Sequence, residues 1–120
     1  SRYMETSEAL AAFAALSQAT RLKIIRLLVR HEPDGLRVGE IATQLEQPQN
    51  TLSTHLAILQ RAELLTSERQ TRSVIYRAAV GQLAELMAFL LSECCTDRPD
   101  LASPILSGLH LCTMGAKPKS

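Results

Sequence analysis

A chain of 120 residues supplies one domain's worth of core, and with 46% hydrophobic and 21% charged residues it reads as globular, not disordered. Aromatics reach only 3%, with no Trp, so the core must come from Leu, Ile, Ala and Val. With five Gly and no glycine-rich phosphate loop, the composition excludes a β-sandwich and the dinucleotide-binding and P-loop classes. The formal net charge is +1, but residues 17–77 carry +3 and each flank carries −1, so the positive charge lies in the middle of the chain.

Ser7 to Leu16 is rich in Ala and Leu without a breaker and predicts a short first helix. Ser17 is placed to cap a second helix running to about Arg30. Leu22, Ile25, Leu28 and Val29 form its apolar spacing, and Arg21, Lys23, Arg26 and Arg30 point towards water. Pro33-Asp34-Gly35 is a turn signal. A third helix is expected over Val38 to Leu45, with Ile41, Ala42 and Leu45 on one face. Glu46-Gln47-Pro48 is a tight connection to a fourth helix, from about Gln49 to Ala62, whose buried stripe is Leu52, Leu56 and Leu59. Two such helices joined by three or four residues read as a helix-turn-helix.

Past Leu64 the period changes to two. Leu65 to Glu68 and Val74 to Arg77 predict a hairpin with an exposed basic tip, Arg69 to Ser73. A fifth helix follows from about Val80 to Cys95, with Leu83, Met87, Leu90 and Cys94 at helical spacing. After Thr96 come Pro99, Pro104 and Pro118, which predict a loop with at most one short helix around 105–111. No apolar run is long enough to span a membrane and no secretory signal is visible, so a cytoplasmic location is expected. Three cysteines, an odd number, point to a reducing compartment and thiol chemistry, not to a disulfide framework.

On the fourth helix Gln49, Asn50, Ser53 and Thr54 fall opposite Leu52, Leu56 and Leu59. Amides pair bidentately with adenine, hydroxyls contact phosphate or several base edges, and a helix N-terminus presents free N–H groups to phosphates. Arg69 and Arg72 in the hairpin tip can supply the electrostatic share of affinity. Alone, the polar face reads equally as a solvated one; the short turn before it and the basic hairpin after it favour DNA.

The stretch from Leu16 to Ala78 resembles the winged helix-turn-helix of the ArsR/SmtB family of bacterial metalloregulatory repressors. The matching residues are Leu16 to Leu22, Ile24 to Leu28, Glu40-Ile41-Ala42, Gln49 to Leu59, Ala62 to Leu65 and Val74-Ile75-Tyr76. The resemblance implies a mainly α fold with a small β-hairpin (α+β), and a homodimer pairing through its first and last helices. It implies a repressor that binds operator double-stranded DNA until a ligand arrives. The chain, 1–120, then reads as a single domain: a DNA-binding core over about 16–78, a dimerisation helix over 80–95 and a tail over 96–120. By the same resemblance Thr51 and His55 join the DNA-binding set, His55 either on the DNA face or in local packing.

The family's arsenic box in the third helix corresponds here to Arg37-Val38-Gly39-Glu40-Ile41, with no thiol. Its zinc site needs His and Asp in the last helix, where none of His31, His55 and His110 lies. What remains is Cys94-Cys95 with Cys112 further on. Neighbouring residues, about 3.8 Å apart at Cα, do not form an unstrained disulfide, but two thiolates suit one soft ion. Some family members resemble this in holding arsenic(III) with a vicinal pair after the last helix and a third downstream cysteine. Here 100–103 is Asp-Leu-Ala-Ser, and Cys112 is the candidate third ligand. The expectation is a repressor sensing arsenic(III), or antimony(III), with no organic cofactor. A redox or reactive-sulfur sensor of the same fold stays open, as does a packing role for Cys94, which continues the Leu83, Met87, Leu90 seam. A small thiol oxidoreductase or metal carrier would use a Cys-x-x-Cys motif, which is missing, and no enzyme is expected.

Overall fold

The computed structural model of the chain describes residues 4–113, and their side chains except those of 93–97, 106 and 110–113. It divides into two units, Ser1–Leu86 and Met87–Ser120. The first begins with α1 (Thr6–Leu16), started by a reciprocal pair in which Glu8 accepts from the Glu5 backbone N–H. Its Ala9, Ala12 and Ala15 are buried, and these small side chains let it lie close against the helices that follow.

In α2 (Ala19–Arg30) the cap is Gln18, not Ser17: its side chain accepts from Arg21 N at 2.8 Å. Ser17 is instead used by α1, where its N–H closes the last turn onto Phe13 and Ala14. The buried face of α2 also differs from the expected stripe. Thr20, Ile24, Ile25, Leu27 and Leu28 are inside, whereas Leu22 and Val29 stay 45% and 43% exposed. The helix is packed by α1, α3 (Val38–Leu45), α4 (Gln49–Arg61) and the sheet, so its buried arc is wide and centres on Ile24 and Leu28; Leu22 and Val29 fall at its edges.

A two-residue strand, β1 (Leu36–Arg37), absent from the sequence reading, precedes α3 and pairs antiparallel with β3 (Ser73–Ala78) as Leu36↔Tyr76 and Arg37↔Ile75. Gly35 makes this possible. Its φ is +76°, and a Cβ there would lie 2.6 Å from the Tyr76 carbonyl oxygen. The wing is completed by β2 (Leu65–Gln70), giving a three-stranded sheet in the order β1-β3-β2. The hairpin is longer than expected. Register runs from Leu65↔Ala78 to Gln70↔Ser73, so the tip is only Thr71-Arg72, with Thr71 at φ +52° in place of a glycine. All of β2 beyond Leu65 is exposed, so no burial alternation marked where the strand ends.

Ile24, Leu28, Ile41, Leu52, Leu56, Leu59, Leu64 and Leu65 are buried together within this unit, each worth about 1.5–3 kcal/mol of apolar burial. The last helix of the first unit, α5 (Val80–Asp97), continues into the second. Leu86 is fully buried, whereas Met87 and Leu90 are exposed in the single chain. After it comes α6 (Pro99–Thr113), a correction to the expected loop. Pro99 is at the first helical position, which tolerates proline, and Asp100 favours the first turn; Pro104 removes only one internal N–H. Arg98 and Asp100 pair at 2.9 Å beside this start, holding the Asp100 carboxyl below its usual range. No helix among the described residues is long and apolar enough to cross a membrane.

Candidate nucleic-acid interface

The helix-turn-helix is α3 and α4 joined at Glu46-Gln47-Pro48. Glu46 adopts a left-handed conformation (φ 55°, ψ 48°) that ends α3, and Gln47 N bonds back to the Ala42 carbonyl at 3.1 Å. The turn is pinned to α2, because Gln47 Nε2 donates to Thr20 Oγ1 at 3.2 Å. Pro48 occupies the cap position of α4 and provides no side-chain cap; of the first-turn N–H groups, that of Thr51 is taken by the Asn50 side chain, and those of Gln49 and Asn50 have no intrahelical partner.

Leu52, Leu56 and Leu59 fix the roll of α4 by going to the core. That turns Gln49, Asn50, Thr51, Ser53 and Thr54 into solvent, all of them exposed. Asn50 Oδ1 accepts from Thr51 N at 2.9 Å and Ser53 Oγ donates to the Gln49 carbonyl at 3.1 Å. These bonds hold the two side chains close to the helix while leaving the Asn50 amide donors outward. Gln49 reaches towards α3: a Cβ on Gly39 would lie 3.4 Å from Gln49 Nε2. His55 is half-buried, with Nδ1 3.2 Å from Arg21 Nη1.

Arg21 also departs from expectation. It does not point to water; its Nε donates to the Ala15 carbonyl at 2.6 Å and its Nη1 meets His55. Nothing in the helical spacing distinguishes it from its exposed neighbours Lys23 and Arg26.

In the wing, Arg77 is neutralised. It pairs with Glu68 at 2.6 Å and donates to the Pro33 carbonyl at 2.9 Å, and its hydrogen bond to Glu68, with its charge, holds that carboxyl below the ordinary range. Arg69 and Arg72 are exposed and have no ion-pair partner among the described residues. The two lie along one groove of about 810 Å³ with Arg37, Val38, Gly39, Glu40, Thr43, Gln44, Ser73, Val74 and Tyr76. Arg37 is a further exposed cation of this groove that helical spacing does not single out, because a lone Arg before a helix carries no periodic signal.

Among the described residues no three His, Cys, Asp or Glu side chains gather as a metal site. The candidate thiols fall in helices, Cys94 and Cys95 in α5 and Cys112 in α6, and their side chains lie outside the described residues.

A polar helix N-terminus presented beside a basic two-stranded wing defines a winged helix-turn-helix protein of the DNA-binding class. The profile of a helix-turn-helix domain family matches residues 16–68. The chain is 33% identical over 97 residues to the uncharacterized HTH-type transcriptional regulator YbzH of Bacillus subtilis, covering 67% of this chain and 95% of that one. It is 29% identical over 85 residues to the transcriptional activator HlyU of Vibrio cholerae, covering 71% and 76%. HlyU has also been solved in a reduced form, similar at TM-score 0.57 with 28% identity over 72% of this chain and 90% of that one. An ArsR-like transcriptional regulator from Rhodococcus sp. RHA1 is similar at TM-score 0.65 and 28% identity over 82% and 90% of the two chains. A homodimeric winged helix-turn-helix fragment from Mycobacterium bovis, a possible ArsR-family regulator, is similar at TM-score 0.58 and 25% identity over 76% and 80%. The chain belongs to the ArsR family of helix-turn-helix transcriptional regulators.

Proposed function

We propose that the protein is a homodimeric transcriptional repressor that leaves its operator when a trivalent arsenical, or the corresponding antimonial, is held by C-terminal cysteine thiolates. The observation that carries the DNA half is the joint exposure, within one unit, of the polar face of α4 and of Arg69 and Arg72 in the wing, which have no ion-pair partner among the described residues. The thiol half rests on Cys94-Cys95 as a vicinal pair. About 100° apart on a helix, they suit a shared soft ion better than a disulfide, and Cys112 is the third candidate ligand.

Pairing of two copies is supported by apolar side chains left in water: Leu10 on α1 is 64% exposed, and on α5 Met87 and Leu90 are 45% and 58% exposed. The homodimeric Mycobacterium bovis fragment supports the same assembly. For release, the ligand must bind the weakly DNA-binding conformer better than the tight one, and the shift equals that difference in affinity. Thiols on a dimerisation helix could couple to the spacing of the two reading heads. A protein acting on an operator in this way works in the cytoplasm.

A second reading, a redox or reactive-sulfur sensor of the same fold, is favoured by the same vicinal thiols and by the existence of a reduced form of HlyU. The deciding experiment is operator binding measured with and without arsenite, zinc and persulfide, beside a promoter fusion that reads the sign of regulation. Arsenite alone should release the DNA. Release by persulfide alone would replace the inducer, and an activated promoter would replace repression.

A further inference from the structure

The cations of the first unit are unequally committed. Arg21 is partly buried and bonded between helices, and Arg77 is paired with Glu68. Three others, Arg37, Arg69 and Arg72, line one groove between the start of α3 and the wing. We propose that this groove seats a backbone phosphate of the operator, with Arg37 as a phosphate-contacting residue alongside Arg69 and Arg72. The proposal rests on the DNA-binding reading of α4 and the wing and extends the contact surface to the start of α3.

Arg37 is oriented before any ligand arrives. Its Nε donates to Ser73 Oγ at 3.0 Å, fixing the plane of the guanidinium against the wing and leaving its other N–H groups for a partner. Its acidic neighbour does not neutralise it firmly. Glu40 Oε1 is 3.8 Å from Arg37 Nη1, and both side chains are about half exposed, at 52% and 50%. An exposed pair of this kind contributes little. Glu40 Oε1 is moreover committed elsewhere, accepting from the Arg37 backbone N–H at 2.8 Å to start α3. A phosphate approaching the groove therefore meets a pre-aimed, weakly compensated fork, the geometry that suits bidentate charge-assisted bonds.

The groove also adjoins the reading helix. Gly39 lines it, and a Cβ on Gly39 would lie 3.4 Å from Gln49 Nε2. A phosphate at Arg37 would thus sit next to the amide at the N-terminus of α4. Such a contact sets register, because backbone contacts position the protein while base contacts specify the sequence.

The test is anisotropy of a labelled operator duplex across a salt series, with wild type, Arg37→Gln, Arg37→Lys and Arg72→Ala, each checked for folding by its unfolding midpoint. For Arg37→Gln, affinity should fall about tenfold, as for one charge-assisted hydrogen bond, and the log–log salt slope should shrink by about 0.9. Arg37→Lys keeps the charge and should keep the slope but bind more weakly, since one ammonium cannot replace a fork anchored on Ser73. If Arg37→Gln does not fold, the lysine variant decides: binding as tight as wild type overturns the proposal. Arg37→Gln with wild-type slope and affinity overturns it too. If Arg72→Ala then still lowers the slope, only the groove assignment has failed; if neither variant changes the slope, the DNA-binding reading has failed with it. Inorganic phosphate that displaces DNA beyond chloride of equal ionic strength, from a wild type whose slope Arg37→Gln leaves intact, would make the groove a free-anion site and likewise overturn the proposal.

Discussion

Arg21 and His55 meet between α2 and α4, Nη1 to Nδ1 at 3.2 Å. Arginine can only donate, so in this contact His55 Nδ1 is the acceptor. The same guanidinium bonds the Ala15 carbonyl at the end of α1, so one side chain touches three helices. It ties the helix proposed for dimerisation to the helix proposed to read DNA.

Arg21→Ala should therefore cost about 2 kcal/mol of folding stability, from charge-assisted bonds at a partly buried site. It should also weaken operator binding without changing the salt slope, because Arg21 is a positioning residue, not a phosphate contact. Denaturant melts and a salt series measure the two effects separately. A reduced slope would place Arg21 at the DNA instead.

At the tip of the wing, Arg72→Ala should weaken binding to all duplexes alike and lower the salt slope by about one. Gln49→Ala and Ser53→Ala should instead change preference among operator variants more than nonspecific affinity. Competition assays with substituted operators distinguish the two patterns. Unchanged operator affinity and preference in both Gln49→Ala and Ser53→Ala would remove α4 from the interface.

Gly35→Ala should destabilise the fold by about 1–3 kcal/mol, since the residue has φ +76° and its Cβ would meet the Tyr76 carbonyl at 2.6 Å. The loss should fall on the wing, because β1 must move away from β3. Amide exchange at Leu36 and Tyr76 should quicken more than at Leu56. Protection unchanged across β1 and β3 would contradict the strand pairing.

The Glu68–Arg77 pair sets a pH dependence. The Glu68 carboxyl is held below its ordinary range, first by its hydrogen bond to Arg77 and then by the charge of Arg77. A depressed carboxylate contributes its stability above the unfolded value and loses it as pH falls through the folded one. Glu68→Gln should thus lower Tm slightly at neutral pH, and the gap to wild type should close on acidification below the carboxylate range. A gap that persists in acid would mean that the glutamate acts through packing.

Cys95→Ser should leave folding and operator binding nearly intact and abolish release by arsenite, because a hydroxyl is a hard and poor ligand for a soft ion. Cys94→Ser should abolish release as well, with some loss of stability if Cys94 also packs in the seam continued from Met87 and Leu90. Cys112→Ser decides between a three-thiol and a two-thiol site. A Cys95→Ser protein that dissociates at the wild-type arsenite concentration would sink the C-terminal site and leave the winged helix standing.

Much of this was written along the chain. The 3.6-residue spacing of Leu52, Leu56 and Leu59 fixes which side of α4 is buried, and hence that Gln49, Asn50, Ser53 and Thr54 face outward. Val38–Leu45 was legible from end to end, because a short amphipathic helix between two turns leaves little choice of boundary. Local chemistry sufficed in both cases.

Only the tertiary structure decided the rest. A strand of two residues has no periodicity to detect; Leu36–Arg37 becomes β1 because Gly35 brings it beside Tyr76 and Ile75. The breadth of the buried face of α2 depends on how many neighbours surround it, which sends Leu22 and Val29 to the edge. Arg21 and His55 are thirty-four residues apart, and Arg37 and Ser73 thirty-six, so neither pair could be read from spacing. Sequence fixes which face of an element is apolar, through the period of its own backbone. Which polar side chains meet depends on how separate elements pack, and that is a property of the folded core.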